Sequence, residues 1–152
     1  MTAADDHATV ATLLGRLPDC DYEVVARDHD GRPTVIRNMP VMRDGRPMPT
    51  RYWLVGRNER VAVSRLETIG GVRAAERAID PTAIADAHDR YACERDAHLR
   101  PDHVGPKPSG GVGGTRVGVK CLHAHYAWYL AGGDDPVGRW VAAHLGGEGE
   151  LA

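Results

Sequence analysis

Phenylalanine is absent from this 152-residue chain, and aromatic residues make up only 5% of it. The large core side chains must therefore be Leu, Ile, Val, Met, five Tyr and three Trp, and each buried Tyr or Trp needs a partner for its polar end. Cysteine is scarce as well. Cys20, Cys93 and Cys121 are odd in number, widely spaced and without a CxxC pair, which argues against a disulfide framework and a zinc ribbon and favours reduced thiols. No stretch approaches the roughly 20 apolar residues of a membrane span. The first residues lack the basic region and apolar core of a secretory signal, so the expectation is a cytoplasmic protein with no membrane partner. An excess of one charge is missing too. With 19 Lys and Arg against 21 Asp and Glu, the formal charge is −2, which removes the usual electrostatic reason to expect a nucleic-acid partner.

What the chain does contain is enough apolar sequence, 42%, for one globular domain with a sizeable core. Val10, Leu13, Leu14 and Leu17 recur at helical spacing until Pro18, giving an N-terminal helix within residues 1–19. Residues 22–27 and 33–37 are β-prone runs around an Asp30-Gly31 hairpin signal. A second turn at Asp44-Gly45 precedes a strand-like run over 51–55. Residues 20–56 therefore read as a small antiparallel sheet. From Asn58, a candidate cap, the period becomes helical to about Thr68; Gly70-Gly71 breaks it, and residues 72–79 add a turn or two. Asp80-Pro81 and Asp135-Pro136 are favoured helix starts, because the Asp side chain accepts from free amides and Pro has no amide to leave unpaired. A further helix is expected from near Val119 to Ala131, and the tail from Gly146 is expected to fray. The fold class is α+β: one domain over residues 1–152, its N-terminal antiparallel sheet packed against C-terminal helices. The helical part spans 57–146 and carries a glycine-rich loop over 104–118.

Residues 110–125 hold the densest chemistry, with five glycines, Arg116, Lys120, Cys121, His123 and His125 in sixteen residues. Gly111, Gly113 and Gly114 free the backbone to approach a ligand, and Arg116 and Lys120 add positive charge, so a small phosphorylated or carboxylated ligand is the expected partner. Neither a P-loop nor a dinucleotide fingerprint fits, because Val119 separates Gly118 from Lys120 and Arg116 stands where a last Gly would fall. The loop's glycines could equally serve only to permit tight turns.

At about 100° per residue, Cys121 and His125 share a helix face while His123 points nearly the other way. A metal would then need Cys121 with one of the two histidines and further ligands such as Asp28, His29 or His88. In the first turn of a helix, Cys121 would instead be favoured as a thiolate and could act as a nucleophile. The plain alternative is a buried cysteine beside hydrogen-bonded core histidines. Ile84, His88, Tyr91, Ala92 and Arg95 fall on one helix face, which offers His88 as acid or base and Arg95 as anion clamp, or both as satisfied buried groups.

Several segments together carry a resemblance. Residues 49–54 (Pro-Thr-Arg-Tyr-Trp-Leu), 64–67 (Ser-Arg-Leu-Glu), Ala87-His88 through Tyr91 with Arg95-Asp96, and above all Val119-Lys120-Cys121-Leu122-His123 resemble the domain-of-unknown-function family five-zero-one, common in actinobacteria. The resemblance covers about residues 22–141, and Asp135-Pro136-Val137-Gly138 is similar to the family's closing motif. Many members carry Arg-Cys in the first hairpin, where this chain has Arg27-Asp28-His29. If that cysteine is a ligand elsewhere, the resemblance implies that Asp28 or His29 replaces it. It implies no activity and no cofactor. Two functions remain: an enzyme-like pocket in which Cys121, His123 and His88 do chemistry while Gly111, Gly113, Gly114, Arg116, Lys120 and Arg95 bind an anion, or a non-catalytic regulatory or binding module stabilised by zinc at the Cys/His cluster.

Overall fold

A computed structural model describes residues 3–146 of the chain, so the tail beyond Gly146 lies outside the described residues. Three strands, β1 (Tyr22–Arg27), β2 (Pro33–Asn38) and β3 (Tyr52–Leu54), form an antiparallel sheet in the order β1-β2-β3. Six α-helices accompany it among the described residues: α1 (Ala3–Leu14), α2 (Arg57–Thr68), α3 (Gly71–Ala78), α4 (Pro81–Asp96), α5 (Leu122–Leu130) and α6 (Pro136–His144). The α+β architecture expected from the sequence is the one observed.

Strand alternation divides the apolar residues between two cores. Val35, Tyr52 and Leu54 face the main core with α2, α4 and α5, whereas Ile36 and Trp53 face the other way, onto Val10 of α1 and Val55. In β1 the register shifts between Val24 and Ala26, so Val25 and Ala26 both pack toward the main core while Tyr22 and Val24 go to the smaller one. The N-terminal helix thus docks on the sheet through Val10, Leu13 and Leu14, whereas Leu17, the last residue of the expected stripe, lies beyond the helix end at Leu14 and is exposed.

The helix starts follow the local chemistry in two cases and depart from it in two others. Asp80 Oδ1 accepts from Thr82 N at 2.8 Å and Asp135 Oδ1 from Val137 N at 3.0 Å, each with Pro at the first helical position. Asn58, however, lies inside α2: Gly56 is the cap residue, without a side-chain bond. The fifth helix also begins three residues later than the periodicity suggests, at Leu122, leaving Cys121 extended at its cap (φ −143°, ψ 115°). Gly70 adopts φ +94°, the left-handed conformation that ends α2 and lets α3 begin at once.

Tyr91 ties α4 to the sheet. Its ring meets Trp128 edge-on with centroids 5.1 Å apart, and its buried hydroxyl oxygen accepts from the backbone amides of Arg51 and Tyr52. Burial also holds the phenol proton well above the usual range, so the hydroxyl stays neutral. Tyr91→Phe keeps the ring and removes that acceptor, stranding two amides. Urea unfolding should show a loss of about 1–3 kcal/mol for each orphaned donor, and an unchanged midpoint would mean that the amides have other acceptors.

Candidate functional site

The glycine-rich loop is held from behind by helix side chains. His88, only 3% exposed, accepts from Val112 N through Nδ1 at 3.1 Å, which leaves the neutral ring's Nε2–H to donate to the Gly118 carbonyl at 2.8 Å. Arg95 is 1% exposed, and one of its terminal nitrogens donates to the carbonyls of Pro49 (3.1 Å) and Gly110 (3.0 Å), while its Nε reaches Asp96. Glu76 accepts from Val119 N at 2.7 Å. Gly111 is required by this packing, since a Cβ there would stand 2.5 Å from the Cβ of His88.

Within the loop, Gly111 N donates to Thr115 O, Gly114 N to Gly111 O and Thr115 N to Val112 O, around a single 3-10 turn at Val112–Gly114. The amides of Gly111, Val112, Gly114, Thr115 and Val119 are therefore already used inside the protein. Arg116 and Lys120 are exposed, and Gly114 faces solvent. Gly113 (φ +65°) is the loop glycine beside Cys121: a Cβ built on it would lie 3.9 Å from the Cβ of Cys121, at ordinary contact distance.

His125 is directed inward. Both it and Asp135 are fully buried, and its Nδ1–H donates to Asp135 Oδ2 at 2.7 Å, so the carboxylate that caps α6 also anchors α5. Its Nε2 has no partner among the described residues. Asp28 and His29 remain in the β1–β2 turn. Asp28 Oδ1 accepts from Asp30 N and Arg32 N, and His29 extends into solvent beside Asp30. Neither replaces a ligand near Cys121.

What the fold does bring together is Cys121, His123 and Glu67. Because Cys121 precedes the first turn of α5, the helical-wheel separation of Cys121 from His123 does not apply. One ligand atom from each of the three residues lies within 4.8 Å of the other two. Glu67, from the last turn of α2, accepts from Leu122 N through Oε2 at 2.9 Å and places Oε1 3.2 Å from His123 Nδ1. The other face of the imidazole is fixed as well: Nε2 stands 3.1 Å from Ser64 Oγ and 3.3 Å from the Arg60 carbonyl. A carbonyl only accepts, so Nε2 carries hydrogen, and Nδ1 faces the Glu67 carboxylate and the Cys121 thiol, where it can accept the thiol's proton, carry a proton of its own toward the carboxylate, or meet a cation.

The electrostatics agree with that geometry. Burial pushes the Cys121 thiol up, but the His123 ring and the Ala124 amide beside the sulfur outweigh it, and the thiol lies below its ordinary value. The thiol beside it raises His123 above the usual imidazole value against the effect of burial, with Glu67 adding to the rise. Each residue is half-buried, close enough to solvent for an ion to enter. Glu67 is the residue that the chemistry-based reading missed; the only sign of it was its place in the Ser64–Glu67 segment of the family resemblance.

Residues 24–143 match the family model described as "Protein of unknown function (DUF501)". The chain matches no curated protein and no solved structure. Glu67→Ala removes the acceptor of Leu122 N–H at the start of α5 and should lower stability by about 1 kcal/mol. Glu67→Gln keeps an acceptor oxygen there and should lose less than half as much. Equal losses in urea unfolding would show that the carboxylate's charge, and not its cap, holds α2 to α5.

Proposed function

The chain belongs to the DUF501 family, whose description carries no activity, and from its own residues we propose that it is a metal-binding protein whose Glu67, Cys121 and His123 hold one zinc ion. The observation that supports this reading is the convergence of a thiol, an imidazole nitrogen and a carboxylate oxygen from two helices within 4.8 Å. Ligand atoms around tetrahedral zinc stand roughly 3.3–3.8 Å apart for ordinary zinc–ligand distances. Small side-chain rotations therefore suffice to close the set, and Oε1 and Nδ1 already stand 3.2 Å apart. A mixed sulfur, nitrogen and oxygen donor set suits zinc better than magnesium or calcium, which prefer oxygen alone.

The outer partners fit as well. A zinc-bound imidazole ordinarily donates its remaining N–H to a backbone carbonyl or carboxylate, which fixes the ring; Arg60 O and Ser64 Oγ stand in that place. The second oxygen of Glu67 stays on Leu122 N and orients the carboxylate. Three protein donors leave a fourth position for water or an anionic substrate, the use that catalytic zinc centres make of such a set. Arg116 and Lys120, exposed on the adjoining segment, supply positive charge for an anion arriving there. In this reading Cys121 and His123 are ligands, and His88 and Arg95 are the buried supports that fix the loop beside them.

Protein purified without chelator should carry close to one zinc per chain by elemental analysis, and Cys121→Ala should carry none. Cobalt added to chelator-stripped protein should give a thiolate-to-cobalt charge-transfer absorption that is missing in Cys121→Ala. A folded wild-type protein with neither bound zinc nor that absorption would overturn the proposal.

A further inference from the structure

The exposed face of α2 carries a second feature, separate from the three candidate ligands. A groove of about 660 Å³ runs along it. One wall is the row Arg57, Val61, Arg65 and Ile69, four residues apart along the helix and so stacked one above another. A parallel row is Arg60, Ser64 and Thr68. Three guanidinium groups thus line the groove with two hydroxyls, two aliphatic side chains and no carboxylate. A pocket of this volume is within the range that accommodates a small ligand.

The arginines differ in their commitments. Arg60 donates to the Leu13 carbonyl at 2.8 Å and is held in place by it. Arg57 and Arg65 have no hydrogen-bond or ion-pair partner among the described residues, although acidic side chains are near. Asp28 and Glu59 line the adjoining groove, which shares Arg57, Val61 and Arg65 as its ridge. Asp28 is engaged with the amides of its own turn, and Glu59 lies folded back against Gly56. Two guanidinium groups therefore remain available to an anion, with a third fixed beside them.

Apolar exposure occurs on the same row. Val61 is 44% and Ile69 57% exposed, placed between and beyond the two available arginines. Along an α-helix, Arg57 and Arg65 are separated by about 12 Å, with Val61 midway, and side chains as long as arginine's can close on one group across that distance. The glycine-rich loop is a weaker anion site by comparison, because its amides are spent internally.

We propose that this α2 groove binds a small phosphate ester with an apolar body: Arg57, Arg60 and Arg65 take the phosphate, and Val61 and Ile69 cover the apolar part. Arginine suits the phosphate because its planar fork pairs two oxygens at once. Ser64 adds a hydroxyl that can donate into the groove while its oxygen accepts from His123 Nε2.

The test is an amide chemical-shift titration of the full chain with phenyl phosphate, with inorganic phosphate and benzoate as probes that each carry half of the chemistry. Phenyl phosphate should shift the amides of residues 57–69 saturably in the millimolar range, and each half-probe should bind more weakly. Arg57→Gln with Arg65→Gln, both at exposed positions, should weaken binding by about tenfold or more while the remaining spectrum stays native. Cys121→Ala should bind phenyl phosphate as the wild type does, so failure of the zinc reading would leave this one standing. Shifts centred on residues 110–120, no saturable shift, or equal binding of inorganic phosphate or benzoate would each overturn the proposal.

Discussion

One carboxylate, that of Glu67, fixes the geometry around the candidate site. Its Oε2 satisfies the first amide of α5 and its Oε1 faces the imidazole of the second residue of that helix. A helix leaves its first amides unpaired, and Cys121, the cap residue here, has no side-chain bond that satisfies them. A carboxylate from another helix does the work of a cap and adds favourable charge at the positive end of the helix dipole. Because that acceptor arrives from α2, the start of α5 and the end of α2 are held at one separation, and Cys121 stays extended before the first turn.

The glycine-rich loop takes its shape from groups that are costly to bury. Arg95 would be strongly unfavourable in the core without partners, yet its donors meet two carbonyls and Asp96. His88 serves the loop as donor and acceptor at once, a pairing that suits a neutral imidazole. Gly111 lets the backbone come against that ring. Together these contacts bring Gly113 beside Cys121, so the loop acts on the candidate site through backbone position.

Much of the fold was legible because its signals are local. The β-prone runs over residues 22–27 and 33–37, the Asp-Gly turn and both Asp-Pro starts each depend on neighbours a few residues apart, and the elements formed where those signals stand. The start of α5 depends on Glu67, 55 residues earlier, and no periodicity carries that information. For the same reason a helical wheel drawn from Val119 set Cys121 and His123 on opposite sides, whereas the extended cap residue brings both toward one carboxylate. The roles of His88 and Arg95 turned on backbone carbonyls and amides of the loop, which side-chain types alone do not reveal. His125 followed the inward reading of a core histidine, with its partner ten residues on in a residue already legible as a cap.

The two faces of His123 join the candidate metal centre to the arginine groove. Occupation of Nδ1 by a cation keeps the remaining proton on Nε2, where the Arg60 carbonyl and Ser64 Oγ stand. Ser64 Oγ then accepts, and its own proton is free to turn into the groove it lines. If Nε2 instead lacked its proton, the hydroxyl would have to donate to the ring and would present only lone pairs to an incoming anion. The imidazole therefore gives the groove its added donor whenever Nε2 holds its proton, which the Arg60 carbonyl favours with or without a cation on Nδ1. The candidate ligand set on one side of the ring and the arginine-lined groove on the other thus share the proton on Nε2.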